Sequence, residues 1–185
     1  MKSINRKILF ITLFGSMFSI TAFARETTGW EFEIDPIAFA LNGYSAHFGP
    51  RIGSWKFDVN TASEDLTSNE TKTFLNQSNF SAKFVSYGAK VDYIGESGKG
   101  WHVGIQYDLS SWTYTSTVNN QKATNTVQDV GPRIGYRYTS GNFYVDPWIA
   151  VLKNISGTDA VSVGGQTFQP QKILIFPTVH FGFKF

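Results

Sequence analysis

The chain has 185 residues, no cysteine, 16 basic and 14 acidic side chains, and 17 Phe, 8 Tyr and 5 Trp. Without cysteine it has no disulfide framework, no cysteine zinc site and no thiol nucleophile. Lys2, Arg6 and Lys7 lie within the first 24 residues, which hold no acid; the remainder carries 16 − 3 = 13 basic against 14 acidic groups and lacks the electrostatic motive for nucleic-acid binding.

Residues 1–24 read as a cleaved signal peptide. Lys2, Arg6 and Lys7 precede an apolar run, and Ala22-Phe23-Ala24 supplies the small-x-small end. The apolar run is shorter than the ~20 residues of a spanning helix. Residues 25–185 form the expected second unit, a single β domain.

From there period-two alternation dominates. Trp30, Phe32 and Ile34 alternate with Glu31, Glu33 and Asp35 to give a first strand. Over 35–43 two forms compete. Asp35-Pro36 suits the start of a short helix, and Asn42-Gly43 suits a tight hairpin. The hairpin is the expected form, because the flanking residues keep alternating. Tyr44, Ala46 and Phe48 mark strand two; Trp55, Phe57 and Val59 mark strand three. Residues 62–79 read as a long polar loop. Strand four carries Val85 to Tyr93 and strand five Trp101 to Leu109. A second polar loop covers 114–126. Strand six carries Val130 to Tyr138 and strand seven Phe143 to Val151. A third loop covers 154–171, and Ile173–Phe185 is strand eight.

Short and long connections therefore alternate, and an even strand number returns both termini to one side. The expected fold is all-β: an eight-stranded antiparallel up-and-down transmembrane β-barrel, with its apolar parity on lipid and its polar parity inside. A soluble β-sandwich is the alternative. Pro36, Pro50, Pro132, Pro147 and Pro177 sit in or beside strands with outward parity. Since proline removes a ladder donor, bulges or strand ends are expected there.

The signal peptide, the alternating strands and the ending Phe181-Gly182-Phe183-Lys184-Phe185 together resemble the small eight-stranded outer-membrane proteins, the class of the OmpA transmembrane domain, OmpX and OmpW. The resemblance covers the whole mature chain and is architectural. It implies a bacterial outer-membrane location among lipid and lipopolysaccharide, delivery by periplasmic chaperones, and insertion by the barrel-assembly machinery with Phe181, Phe183 and Phe185 as the assembly signal. It also implies an OmpA-like or porin-like cell-envelope role.

Inward parity collects a candidate interior polar network: His47, Arg51, Asp58, His102, Asp108, Asp129, Arg133, Asp146 and His180, with Glu31, Glu33, Lys56, Lys90, Asp92, Arg137 and Lys184 beside them. Buried charges need partners, so a plugged lumen is expected, in a protein of structural or surface-interaction role with no cofactor. A narrow pore for small solutes is the alternative. Three histidines suit zinc, but strands two, five and eight set them apart, and no metal site is expected. Some barrels of this class modify lipid A. The deacylase type carries His-x-Ser, whereas this chain has Ser45-Ala46-His47 in reverse order and pointing inward, so no enzyme is expected. The Thr- and Asn-rich loops are read as mobile, with an unidentified host or surface ligand as the alternative to a solvated edge. The pentapeptide Gly-Pro-Arg-Ile-Gly occurs at 49–53 and again at 131–135 and places Arg51 and Arg133 inside as candidate anchors.

Overall fold

The computed structural model describes residues 28–185; the expected signal peptide lies outside them. The elements are β1 (Gly29–Ile34), α1 (Pro36–Ala40), β2 (Tyr44–Ile52), β3 (Trp55–Leu66), α2 (Ser68–Leu75), β4 (Phe80–Tyr93), β5 (Gly100–Ser116), β6 (Lys122–Ser140), β7 (Phe143–Ser156), the small hairpin β8 (Val161–Val163) and β9 (Gln166–Phe168), and β10 (Ile173–Lys184). Eight of these strands, all but β8 and β9, close into an antiparallel barrel in which β10 lies between β7 and β1. Trp30 and Phe185 exchange backbone hydrogen bonds of 2.9 and 3.0 Å at the seam. Both described ends of the chain thus lie at one end of the barrel, with the β2–β3, β4–β5 and β6–β7 turns. The long connections lie at the other end.

Residues 35–43 are the first correction. The chain forms a helix there and no continuous hairpin. Asp35 is extended and its carboxylate accepts from the Ile37 amide at 2.8 Å, while Pro36 occupies the first helical turn. Proline there loses no needed hydrogen bond. The connections at the far end are also more ordered than expected. Residues 62–79 contain the end of β3 and then α2, whose Thr67 and Glu70 form a reciprocal capping box. Within 114–126 only 117–121 form a turn, and 154–171 contain β8 and β9.

The extended hairpins show an inversion of the amphipathic pattern. Along β5 the outward residues Trp101, Val103, Ile105, Tyr107 and Leu109 are apolar, and Ser111, Thr113 and Thr115 follow. The outward faces of β4 and β6 change likewise, at Lys83 and Gln128. The inner face changes in the opposite sense. Ser86 and Ser110 give way to Phe84, Trp112, Ala82 and Tyr114, and a buried cluster of Leu66, Leu75, Phe80, Tyr114, Val163 and Phe168 fills the far end.

Prolines behave differently at different sites. The register shift falls at Gln128/Asp129, three positions before Pro132. In both copies of the pentapeptide the ladder to the following strand skips Gly-Pro without changing register: Phe48 faces Val59 and Arg51 faces Lys56, and Val130 faces Lys153 and Arg133 faces Ala150. Trp30 spends its backbone bonds on Phe185, so alternation turns the donorless nitrogen of its β2 partner Pro50 toward β3. A Cβ on Gly49 or Gly131 would overlap the carbonyl of Phe57 or Val151 respectively. The repeat therefore builds one device twice, a close backbone approach beside a missing donor.

The wall is not uniform. The β1–β10 ladder ends at Ile34–Phe181, whereas β10 continues along β7 to Ile173. Above Phe181 the β1 side of β10 has no strand neighbour, and α1 packs there instead. Trp30–Phe185 fixes the odd residues of β10 as those whose backbone groups face that side. Pro177 is one of them, so its missing donor lies on the free edge.

These contacts predict different costs for two alanine substitutions. Gly53 has φ 59° and open space around its Cβ direction, so Gly53→Ala should cost ~1–2 kcal/mol of left-handed strain. Gly131→Ala should cost at least the upper end of the ~1–3 kcal/mol typical of overpacking, because backbone must move. Urea unfolding of both variants in vesicles measures the order.

Candidate functional site

The half of the lumen nearest the termini is filled by charge. Glu31 and Glu33 are successive inward positions on β1. Arg137 of β6 reaches across and donates to Glu31 Oε2 at 2.7 Å, Glu33 Oε1 at 3.2 Å and Asp146 Oδ2 at 3.3 Å. Lys56 pairs with Glu33 and lies 2.8 Å from Asp58 Oδ2. The Tyr144 hydroxyl lies 2.9 Å from Glu31 and 2.8 Å from Glu33, and its ring stacks on the Arg137 guanidinium at 3.9 Å. Gly182 makes room for that ring, since a Cβ would strike it. His102 lies between Asp146 at 2.7 Å and Asp92 at 3.8 Å. Arg133 lies 3.3 Å from Asp92 and stacks on Trp148 at 4.0 Å. Of these side chains, the charged ones are each 3% exposed or less.

Above this layer His47 and His180 meet with ring centroids 4.3 Å apart. Sequence spacing alone sets the histidines apart. Closure reverses this for the pair, because β1 alone separates β2 from β10; His102 remains with its carboxylates. Glu33, His47 and His180 offer ligand atoms within 4.8 Å of one another. Yet Lys56 is on Glu33 and the Lys90 ammonium is 2.9 Å from His47 Nδ1. A divalent ion would have to displace two cations already seated there, so the donor set does not suit a metal.

Ser45 Oγ lies 2.7 Å from His47 Nε2, which has the outline of a nucleophile and its base. The outer partner decides against it. With Lys90 as an ammonium, which only donates, Nδ1 accepts and the ring proton sits on Nε2, donating to Ser45. A base needs the opposite tautomer, with a carboxylate or carbonyl at Nδ1.

The far half of the lumen contains a cavity of about 250 Å³. Trp148, Leu152, Leu174 and Phe176 give it one apolar wall. The opposite wall is polar. Asn60 donates to Asp108 at 3.1 Å, Gln106 also donates to Asp108, and Ser110 donates to Ser86 at 3.0 Å. Asp129 lies opposite Asp108 on the neighbouring strand, and its Oδ1 has no hydrogen-bond partner among the described residues.

Thus His47, Asp58, His102, Arg133, Asp146 and His180 lie in or directly above the charged layer, whereas Asp108 and Asp129 line the cavity. Arg51 belongs to neither. It donates to the Gly53 carbonyl at 3.1 Å and to the Gly95 and Glu96 carbonyls, tying two turns together. Its partners are backbone oxygens, so it ties turns together through hydrogen bonds and takes no part in the ion pairs. Phe181 and Phe185 face outward; Phe183, half-buried, packs on Phe143 at 4.9 Å. Tyr144 and Trp148, central to the two halves, share the inward parity of Asp146 and are signalled by that alone.

No family model and no curated protein matches this chain. Among solved structures it is similar to Neisserial surface protein A, at 14% identity over 85% of this chain and 96% of that one, with a TM-score of 0.50. It is also similar to the N-terminal β-barrel domain of Pseudomonas aeruginosa OprF (13% identity, 85% and 97% coverage, TM-score 0.48) and to a major outer membrane protein from Thermus thermophilus (12%, 86% and 100%, 0.40). At this identity the first likeness shows the fold alone: a closed eight-stranded barrel.

The network predicts unequal effects of removing its arginines. Arg137→Met leaves Glu31, Glu33 and Asp146 facing one another and should destabilise by about 3–5 kcal/mol. Arg51→Met removes bonds to turn carbonyls and should cost less, roughly 1.5–3 kcal/mol. Denaturant midpoints of the folded barrel compare the two.

Proposed function

We infer that this chain is a non-conducting outer-membrane barrel with a structural or surface-interaction role. The observation that carries the reading is the inversion of the wall. On β4, β5 and β6, below the line through Lys83, Ser111 and Gln128, the sheet is apolar outside and polar inside. Beyond that line it is polar outside, and the inner face carries Ala82, Tyr114 and Val127. A soluble sheet would keep one sense throughout. A barrel crossing from lipid into water must change it, because its outer solvent changes while its interior must still be filled.

The termini end then faces the periplasm. Trp55–Tyr93, Trp101–Tyr136 and Phe143–Phe183 ring contacts form an aromatic girdle there. The outward Phe181 and Phe185, with Phe183 between them, are placed for recognition by the assembly machinery, and the apolar band meets lipid and lipopolysaccharide. The long hairpins stand beyond the outer leaflet as an ordered crown, the part available to a host or surface ligand.

A pore is disfavoured by two seals in series. Charge fills the lumen at one end, and the apolar cluster around Tyr114 and Phe168 fills it at the other. Their aromatic rings are stacked 3.8 Å apart. Catalysis is disfavoured by the Ser45–His47–Lys90 arrangement. In planar bilayers the purified protein should give no discrete conductance steps, while its mobility shifts on heating as folded barrels do. Reproducible single-channel steps would favour the narrow-pore reading instead.

A further inference from the structure

We propose that the cavity in the outer half of the barrel is a binding site for a single-chain amphiphile with an uncharged, hydroxyl-bearing head, loaded sideways from the membrane. This rests on the membrane reading above and adds a ligand and a route.

The route comes from the wall. Above the Ile34–Phe181 rung, β10 has no strand beside it on the β1 side. Ile175 and Pro177, whose parity faces lipid, nevertheless line the cavity together with Ile37 of α1. The cavity thus extends to the unpaired β10 edge, against which α1 packs. Ile175 pairs with Val151 and Pro177 with Ile149, all outward and apolar, so this edge lies within the apolar band on the side of the long connections. Backbone that lacks partners is tolerated at such depth only where it lines a cavity or is covered. Pro177 deletes one donor from that edge, and Thr178 hydrogen-bonds Asp35 to hold the start of α1 against β10.

The ligand class comes from the lining. Its volume of about 250 Å³ lies between an ~150 Å³ cavity that holds benzene and the ~300 Å³ lower end of small-molecule sites. That suits part of one chain and a small head. The β7–β10 wall is apolar. The other strands line it with the polar side chains of Asn60, Ser86, Gln106, Asp108, Ser110 and Asp129. Asp108 and Asp129, opposite each other on adjacent strands, repel a phosphate. Lys90 stands on the floor, but it is engaged with His47 and over the Trp148 ring at 4.9 Å. Hydroxyls can hydrogen-bond to this polar lining without bringing a negative charge to the carboxylates.

The test uses the whole barrel in phosphatidylcholine vesicles containing equal amounts of a monoacylglycerol and the lysophosphatidic acid of the same chain, read by native mass spectrometry. One monoacylglycerol per barrel should be retained, preferred by at least about tenfold over its phosphorylated counterpart. Ala62→Phe, which fills the cavity from β3, should lower retention by about tenfold or more. Asp129→Asn should leave chain binding intact and narrow the preference. It decides the matter if the Phe variant does not fold. Equal retention of both lipids by the unaltered chain, undiminished retention in Ala62→Phe, or an unchanged preference in Asp129→Asn overturns the proposal. For the route, Ser86→Cys places a single thiol in a chain that has none. A bilayer-dissolved N-alkylmaleimide should label it faster than a sulfonated maleimide in water, and the reverse order overturns lateral entry. Heat-shifted mobility of the same samples reports insertion, so a failed membrane reading shows separately as no inserted barrel.

Discussion

Asp35-Pro36 stops the first wall strand after six residues, and much of what distinguishes this barrel depends on that stop. Proline cannot donate to a ladder, and Asp35 offers its carboxylate to the next amide but one, so the chain turns into α1 at the height where β10 still has more than half its length to run. Closure is then complete only in the lower half. There the seam is narrow, four residue pairs and the Trp30–Phe185 rung between β1 and the end of the chain, and the same short strand must supply the inward groups that fill the lumen.

Glu31 and Glu33 meet that demand. Two carboxylates side by side on one strand face would repel, and Arg137, Lys56 and Tyr144 offset this from three other strands. The network thus couples the weakest seam to the far wall. Removing one partner leaves a buried charge uncompensated, which costs more than the pair itself contributes. In the upper half α1 packs where a longer β1 would have closed the sheet, and Asp108 and Asp129 stand on the wall of a cavity. The result is a barrel with two interiors, one ionic and dense, one amphipathic and hollow.

The wall strands and their inward faces were legible because period two repeats without interruption wherever the outer face is apolar. Trp101 to Leu109 is such a run. Reading failed where the outer face is polar. Thr113, Thr115, Thr124 and Thr126 are strand residues that look like loop, and the inward Tyr114 and Val127 are too few to restore the alternation by eye. The helix at 36–40 lost to a hairpin because five residues cannot show a period of 3.6, although its cap was present in Asp35-Pro36. Parity placed His47 and His180 inside but could not make them neighbours, because contact across the seam follows from closure. Parity likewise could not say that Arg51 would end at turn carbonyls while Arg137 reached two glutamates.

Amide hydrogen exchange along β10 in vesicles tests the account most directly. If β1 ends at Ile34 and leaves the upper β10 edge free, protection over residues 173–180 should alternate. Leu174, Phe176 and Thr178, whose amides face β7, should exchange slowly, and Ile175 and Val179 should exchange fast. Uniform slow exchange through this stretch would mean a strand neighbour on both sides, contradicting the short first strand and the half-open wall built on it.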